Sequence, residues 1–445
     1  MKKNYYSLLL LTLLFLNVSF AQTNQLTVFN NVVFYDGYAE TTNLQTPAGV
    51  VRLDNSRYAK KLEANDISNI LNTLSLTVTI NALCDNYDRQ GGVFFALVPT
   101  GETITSENKK TIEIGRFITP FMNKNVAPNE VSYTYDLNHL VGTFKNQDFL
   151  ETYDIWVEFF LFGVPYSAHA QIPGCIGTNR PDVFQGTLAF SSTVQANPNI
   201  NYVPKPLWSR LRMNKSTDTD YPGTAGRVVY FSNEEQLTDA HVQLITSAHG
   251  ANEGGEEYVR RDHFVYFDNN QILTYKPGGI SCEPFRQFNT QSNGIYGGSV
   301  QSANWWASWN NWCPGDKIPN RLINLGNVEP GEHSFKITVP SGVFPNDNDE
   351  IIISAFLYSN DNVLLDNKKF EVIDYQIFPN PTTDKININV SVSEIELVTI
   401  FGIDGKKLFE TKASNFDISH LKNGIYIMKI QLKNGSKIEE KIIKK

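Results

Sequence analysis

The feature that most constrains the fold is the regular spacing of short β-strand patterns along most of the chain. Runs rich in Val, Ile, Phe, Tyr and Thr alternate with clusters of Gly, Pro, Asn and Asp, as is typical of all-β sandwiches. Long amphipathic helical windows are nearly absent, and the short helix-like piece is Ala64–Leu71. The predicted strands include Gln25–Val33, Leu74–Ile80, Val93–Val98, Asp154–Leu161, Val228–Phe231, His263–Phe267, Ser334–Val339 and Ile351–Leu357.

Length and loop composition predict how this all-β chain is divided. A chain of 445 residues is long enough for two or three domains with separate cores. The Pro- and Gly-containing loop at 172–181 is the expected seam, which predicts domains at 22–180 and 181–372. After residue 372, Lys, Ile and Asn become frequent and tryptophan is absent, so 373–445 is predicted to be a third, small domain.

The N-terminus is typical of a secretory signal peptide over residues 1–21. Lys2 and Lys3 precede the apolar stretch Ser7–Val18, and Ser19–Ala21 fits a small-residue cleavage site. An apolar stretch of about twelve residues is too short to span a bilayer, so no stable membrane anchor is expected. We therefore expect a secreted protein.

Charge and the spacing of cysteine and histidine exclude several functional classes. The net charge is −8, and an acidic chain lacks the basic stripe that nucleic-acid binding requires. Since no CxxC, HxH or HxxxH spacing occurs, a zinc site is not expected. The four cysteines of an exported chain predict up to two disulfides, with three pairings open, among Cys84, Cys175, Cys282 and Cys313.

A polar loop follows the predicted strand Leu74–Ile80. Its segment Asp85–Arg89 carries two carboxylates, an aromatic ring and a guanidinium on five consecutive residues. An Asp in a turn is usually structural. The neighbouring Tyr87 and Arg89, on a loop at the end of a strand, favour a chemical role for Asp88.

A second carboxylate lies inside a predicted strand. Alternation along Asp154–Leu161 puts Trp156, Glu158 and Phe160 on one face of the sheet. A buried Glu158 must be paired or protonated, because burying an unpaired charge is costly. An exposed Glu158 would belong to an aromatic stripe typical of sugar-binding surfaces, so both alternatives favour a carbohydrate ligand.

Two later segments are rich in residues typical of glycan sites. The predicted strand ending at His249 leads into a glycine-rich loop that carries Glu256, Glu257 and Tyr258, although such a loop can also be a solvated turn. Four tryptophans within 305–312 exceed what one loop needs for packing, and the indole N–H suits contacts with a glycan.

These motifs occur in one order along the chain: Asp-x-x-Asp-Arg at 85–89, Ile-Gly-Arg-Phe-Ile-Thr-Pro at 114–120, the strand Glu158, the glycine loop and Trp-Cys-Pro-Gly at 312–315. In that combination the chain, from residue 25 to about 360, resembles the peptide-N-glycosidase F family. The resemblance implies two side-by-side antiparallel jelly-roll sandwiches with a site between them. It also implies hydrolysis of the amide between asparagine and the first N-acetylglucosamine of an N-glycoprotein, with no cofactor.

By position, the resemblance implies that Asp88, Glu257 and Glu158 are the catalytic carboxylates. Asp88 would act at the scissile amide, Glu257 would hold or activate water, and Glu158 would bind the first sugar together with Arg89. The substrate contacts predicted in this way are Arg89, Tyr87, Phe160, Trp156, His249, Tyr258, Trp309 and Trp312. The pair Cys282 and Cys313 matches a family disulfide.

The chain also departs from the family pattern. Gly255 and Val259 stand where the family has cysteines, and Cys84 lacks its close partner, so Cys84–Cys175 is a candidate replacement. His249 stands where the family has tryptophan, and other residues at the rim of the site differ too. Altered glycan preference, including tolerance of fucose on the core sugar, is the implied consequence.

The last part of the chain carries three further motifs in order, at Phe378–Pro381, Phe401–Lys407 and Leu421–Ile430. They resemble the C-terminal sorting domain of type IX secretion substrates of Bacteroidetes; the alternative is a small Ig-like binding module. The resemblance implies a β-sandwich that the secretion machinery reads and removes.

Three functional classes stay open at this point: an amidase on N-glycoproteins, a non-catalytic glycan-binding relative, and a glycoside hydrolase acting within the glycan. Retention of three acids favours an enzyme, and the composite of motifs favours the amidase. Nothing in the sequence indicates oligomerisation, so a monomer is expected.

Overall fold

A computed structural model describes residues 23–195, 202–214, 225–250, 255–292, 295–309, 311–345, 349–360, 370–375, 377–390, 395–433 and 437–445. The predicted signal peptide, residues 1–21, lies outside the described residues. Strands dominate and the helices are short, which confirms the all-β prediction. None of the helices in the described ranges has both the length and the apolar character needed to cross a bilayer.

The first sandwich contains β1 (Thr23–Tyr35), β2 (Val50–Asp54), β3 (Arg57–Lys61), β4 (Ser75–Ala82), β5 (Gln90–Pro99), β6 (Lys110–Ile118), β7 (Glu130–Asp136), β8 (Tyr153–Leu161) and β9 (Asp182–Thr193). Its short helices are α1 (Ala64–Ser68), α2 (Gln147–Thr152) and α3 (Tyr166–Gln171), with a 3-10 helix at Asn138–Phe144.

Apart from the short β15 (Lys317–Ile318), which joins a sheet of the first sandwich, the strands from β10 to β19 form the second sandwich: β10 (Tyr202–Asn214), β11 (Gly226–Asn233), β12 (Leu237–His249), β13 (His263–Phe267), β14 (Asn270–Tyr275), β16 (Arg321–Val328), β17 (Gly331–Thr338), β18 (Glu350–Asn360) and β19 (Phe370–Asp374). Its helical segments are a 3-10 helix at Glu283–Phe288 and α4 (Ala303–Ala307).

Hydrogen bonding groups these strands into facing antiparallel sheets. In the first sandwich, β1-β9-β4-β7 faces β15-β6-β5-β8-β3-β2, and β15 is contributed by the second half of the chain. In the second, β10-β18-β12-β16 faces β14-β13-β17-β11-β19. The two-sandwich architecture expected from the sequence is therefore confirmed.

Strand β9 changes the predicted domain boundary. It pairs with β1, where Thr23 opposes Thr193, and with β4 as well. The first sandwich consequently extends to Thr193 and does not end at residue 180. The loop at 172–181 looked like a seam because of its Pro and Gly content, but it carries the chain from β8 to β9 in the facing sheet of the same sandwich.

Alternating burial explains why these segments form strands. In β4, Leu76, Val78 and Ile80 are buried while the residues between them are only partly covered. Each such side chain contributes about 1.5–3 kcal/mol when removed from water. An Asp at Val78 would instead bury an unpaired charge between the sheets.

The third domain is a smaller sandwich built from residues after 376. Its strands are β20 (Ile377–Phe378), β21 (Lys385–Ile388), β22 (Ile395–Gly402), β23 (Lys407–Thr411), β24 (Asn415–Asp417), β25 (Gly424–Leu432) and β26 (Lys437–Lys444). They form sheets β20-β21-β24 and β23-β22-β25-β26 around a separate core, as the change in composition predicts.

A buried ion pair joins the first two sandwiches. The Arg116 guanidinium binds the Glu113 carboxylate at 2.6 Å and donates across the interface to Ser247 Oγ at 2.7 Å and the Ile352 carbonyl at 2.8 Å. Arg116 is fully buried. This contact fixes β6 against β12 and β18, whose ends surround the site.

Candidate active site

A cavity of about 310 Å³ lies where the first two sandwiches meet. Both sandwiches contribute to its walls. The lining residues are Asp88, Arg89, Gln90, Ile118, Phe160 and Phe162 from the first sandwich, and Arg210, His249, Glu257, Trp312 and Glu350 from the second.

The loop that carries Asp88 is held by the buried Asp85. The Asp85 carboxylate accepts hydrogen bonds from Arg89 Nε at 2.7 Å, from the Tyr87 backbone N–H at 2.9 Å and from the Val164 backbone N–H at 2.7 Å. Asp85 is therefore structural, and Asp88 is the acid of this loop that lines the cavity.

Two disulfides brace the surroundings of the site. Cys84, which begins the Asp85–Arg89 loop, is bonded to Cys175, and Cys282 is bonded to Cys313. Both pairings considered from the sequence are confirmed. The Cys84–Cys175 bond fixes the start of the loop that carries Asp88.

The loop that carries Glu257 is held without a disulfide. The buried Glu256 carboxylate pairs with Arg261 at 3.0 Å and accepts the Val343 backbone N–H at 2.8 Å. Asn311 Nδ2 donates to the carbonyl oxygens of Glu256 at 2.6 Å and Glu257 at 2.8 Å. These bonds hold the loop that carries Glu257 in place.

Asp88 and Glu257 face the same cavity. Burial raises the pKa of Asp88 to about 8, and the charge of Glu257 acts in the same direction while Arg89 opposes it. Burial also raises the pKa of Glu257, although its carboxylate accepts the Gly250 backbone N–H at 3.1 Å. Two acids in such a site titrate as a pair, and the pKa of about 8 leaves Asp88 protonated at neutral pH.

Glu158 lies behind the cavity wall and is not among the lining residues. Its buried carboxylate binds Arg57 at 2.8 Å and Lys109 at 2.5 Å. The Arg57 guanidinium lies 4.9 Å from the centre of the Phe160 ring, and Phe160 does line the cavity. Glu158 is therefore connected to the cavity indirectly, through Arg57 and Phe160.

Trp156 does not reach the cavity. It shares a sheet face with Glu158, as alternation predicts, but packs in an apolar cluster with Ala59, Ala96 and Ile104. The loop that carries Ile104 covers this part of the sheet. The prediction that Trp156 contacts substrate is therefore wrong. Its sheet face was predicted correctly, but that face is covered by the loop.

The other aromatic residues predicted to contact substrate lie in the wall of the cavity or at its rim. Trp312 lines the cavity, and its indole N–H donates to the Ala248 carbonyl at 2.8 Å. Trp309 stacks on Trp305 at 5.8 Å and lies 6.1 Å from the exposed ring of Tyr258. On the other side of the cavity, Tyr87 is 42% exposed and lies 5.4 Å from the guanidinium of Arg89.

The protonation of His249 follows from its hydrogen bonds. Ser247 Oγ accepts from Arg116 and lies 2.7 Å from His249 Nε2. Within the described residues the Ser247 hydroxyl has no other partner to which to donate, so we assign it as the donor to Nε2, which places the hydrogen of the neutral ring on Nδ1. Burial, together with the charges of Arg116 and Arg210, lowers the pKa of His249 well below its ordinary value.

Arg210 is a cavity residue that sequence reasoning missed. It lies at a bulge of β10, with a left-handed φ of 50°, and its guanidinium is 4.8 Å from the Phe160 ring. Nη2 donates to Gln90 Oε1 at 2.8 Å, and burial lowers the pKa of Arg210 to about 10. Gln90, Phe162 and Glu350 were missed too, because no local pattern distinguishes them from ordinary strand and loop residues.

Acids and imidazoles are not grouped for metal binding in the described part of the chain: no three His, Cys, Asp or Glu side chains there are placed to share an ion.

Comparison with protein families covers most of the chain. Residues 25–175 match the family described as peptide-N-glycosidase F, N terminal, and 220–358 match peptide-N-glycosidase F, C terminal. Residues 376–445 match the secretion system C-terminal sorting domain.

Individual relatives agree with these matches. Peptide-N(4)-(N-acetyl-beta-D-glucosaminyl)asparagine amidase F of Elizabethkingia miricola is 24% identical over 296 residues, which cover 63% of this chain and 71% of the relative. The structure of PNGF-II is similar with a TM-score of 0.55 at 20% identity, over 76% of this chain and 65% of that protein. PNGase F, a glycosylasparaginase from Flavobacterium meningosepticum, gives 0.50 at 17% identity, over 79% of this chain and all of that structure.

The structural similarities show the shared fold, and the two family matches extend over both sandwiches that form the cavity. The chain belongs to the peptide-N-glycosidase F family and also carries a secretion sorting domain.

Proposed function

We propose that this protein hydrolyses the amide bond between asparagine and the first N-acetylglucosamine of N-linked glycans. The observation that carries the proposal is the convergence of Asp88 and Glu257, from different sandwiches, on one cavity. An amide is a poor electrophile with a poor leaving group, so its hydrolysis needs both a base for water and an acid for nitrogen. A pair of acids that keeps one proton meets both needs.

In the proposed reaction, Glu257 takes a proton from water as the oxygen attacks the carbonyl carbon of the asparagine side chain. Asp88, whose pKa of about 8 keeps it protonated at neutral pH, gives its proton to the amide nitrogen as the C–N bond breaks. The products are an aspartate side chain and a glycosylamine, which then loses ammonia to water.

Other cavity residues support this chemistry by their charge and donors. His249 offers a neutral Nδ1–H, and Arg89 and Arg210 offer positive charge, which together can stabilise the charge that develops on the carbonyl oxygen. We assign the first sugar to the wall that contains Phe160 and Trp312, with Tyr87, Tyr258 and Trp309 at the rim. Glu158 acts there indirectly, by holding Arg57 against Phe160.

The sorting domain indicates export through a type IX secretion system. We propose that the substrates are glycoproteins or glycopeptides outside the cell.

The test is treatment of a denatured N-glycoprotein followed by mass spectrometry of both peptide and glycan. We expect conversion of glycosylated Asn to Asp and a released glycan with an intact chitobiose core. A residual N-acetylglucosamine on Asn would identify a glycoside hydrolase, and unchanged glycopeptide across a range of pH would identify a glycan-binding protein. Either result contradicts the proposal.

A further inference from the structure

The exposed aromatic side chains are not scattered over the surface. Within the described side chains, the large aromatic residues with clearly exposed rings are four tyrosines: Tyr38 (73% exposed), Tyr87 (42%), Tyr166 (57%) and Tyr258 (40%). Tyr87 and Tyr258 adjoin the two cavity acids. Tyr38 and Tyr166 belong to no motif considered so far, and they lie next to another part of the cavity wall.

Phe162 connects these two tyrosines to the cavity. Phe162 lines the cavity, and the Tyr38 ring packs edge-on against it with 5.2 Å between ring centres. The Asp36 carboxylate accepts the Tyr38 backbone N–H at 3.0 Å and interacts with the Tyr166 hydroxyl. We call Tyr38, Phe162 and Tyr166 the tyrosine ledge.

The backbone that presents the ledge is fixed by short contacts. A Cβ on Gly37 would lie 2.5 Å from the Phe162 ring, so glycine is what allows this ring to pack against the loop. The Gly37 N–H donates to the Gly163 carbonyl at 2.9 Å, and Asn55 Nδ2 donates to the Asp36 carbonyl at 2.8 Å. Since the loop is held at both sides, the backbone that carries Tyr38 has a defined position before any ligand arrives.

We propose that the tyrosine ledge is a carbohydrate subsite, on which sugars of the glycan beyond those held in the cavity stack. This inference rests on the proposed function. A cavity of about 310 Å³ is at the lower end of the range for small-molecule sites, so a branched glycan must extend past its walls. The ledge begins at such a wall and continues one ring further out.

The chemistry of the ledge fits an oligosaccharide. Tyrosine presents a flat apolar face with a polar edge, and such rings contribute binding energy without a deep pocket. The ledge offers two such faces and a carboxylate beside them.

The first experiment measures binding of free reducing oligosaccharides by calorimetry, with chitobiose and the branched pentasaccharide core of N-glycans as probes. For Tyr38→Ala combined with Tyr166→Ala, we expect about tenfold weaker binding of the pentasaccharide and unchanged binding of chitobiose. The matching Tyr→Phe variants keep the rings and should bind as the unchanged protein does. Leu44→Ala, at another exposed side chain of the same segment, is the control.

The proposal is overturned if the double variant loses equal affinity for both probes or loses affinity for neither. It is also overturned if the unchanged protein does not bind the pentasaccharide. Because free oligosaccharides contain no asparagine amide, the result is independent of whether the amide is cleaved. A second experiment compares kcat/KM for glycopeptides that differ only in glycan or only in peptide length. If the double Tyr→Ala variant loses kcat/KM in proportion to the length of the peptide, and not to the size of the glycan, the ledge binds polypeptide, which contradicts the proposal.

Discussion

Two kinds of acid in this molecule, fully buried ones and one that lines the cavity, have opposite surroundings. Glu113 and Glu158 each contact a cation at 2.8 Å or less, and although burial opposes ionisation, Arg116 holds the pKa of Glu113 below its ordinary value. Asp88 makes no such ion pair within the described chain, because Arg89 binds Asp85, and burial raises its pKa to about 8. Paired acids hold the sheets together, whereas the unpaired acid is left available for proton transfer.

The largest expected effect comes from Asp88→Asn. Removing the acid should lower kcat/KM by about 1,000-fold, within the usual range for general acid–base catalysis. The same variant should be more stable at pH 8, because the folded protein no longer buries an ionising carboxyl. We expect Tm to rise by about 3 °C.

The sign of that stability change follows from linkage. The pKa of Asp88 is higher in the folded chain, about 8, than its ordinary value of 3.8, so the folded chain binds more protons between these values. Stability contributed by this group therefore falls as pH rises from about 4 to about 8. Thermal unfolding across that range should be less pH-dependent for Asp88→Asn, and a lower Tm at pH 8 would contradict the contrast between the two kinds of acid.

Glu158→Gln should have the opposite effect on stability. The substitution leaves Arg57 and Lys109 without their common partner, and breaking such a buried pair costs about 3 kcal/mol. Urea unfolding measures the change, with Glu151→Gln on the surface of α2 as the control. Unchanged stability together with lost activity would instead place Glu158 with the catalytic acids.

The pH dependence of activity tests which acid carries the proton. If protonated Asp88 is the acid, activity should fall about tenfold per pH unit above pH 8. Initial rates on one glycopeptide between pH 6 and 10 measure this, and circular dichroism checks that the fold is intact. Activity that continues to rise through pH 9 would mean that the ionised form of Asp88 is the reactive one.

The smallest expected effect is that of Ser247→Ala. Without the hydroxyl, Nε2 of His249 loses its donor, so the neutral ring is no longer fixed with its hydrogen on Nδ1. We expect kcat to fall about fivefold with little change in KM, and Ser247→Thr to retain activity. Nitrogen NMR of the His249 ring reports the tautomer directly, and an unchanged tautomer in the Ala variant would refute the assignment.

Sequence patterns predicted the strands and the faces of the strands, but not what covers them. Alternation in β8 put Trp156 and Glu158 on one face correctly, yet it gave no sign that the Ile104 loop covers Trp156 or that two cations bind Glu158. Arg210 could not be found at all, because its role depends on a bulge that turns it toward Phe160. Asp88 and Glu257 were found only because their motifs resemble those of a family.

Because the cavity lies between the two sandwiches, the pKa of Asp88 depends on how they are placed. Asp88 belongs to one sandwich and Glu257 to the other, so the repulsion between their charges depends on the relative position of the two sandwiches. A tilt that separates the sandwiches would weaken this repulsion and let water in, and the pKa of Asp88 would fall. A measured pKa of Asp88 can therefore report a change in the relative position of the two sandwiches.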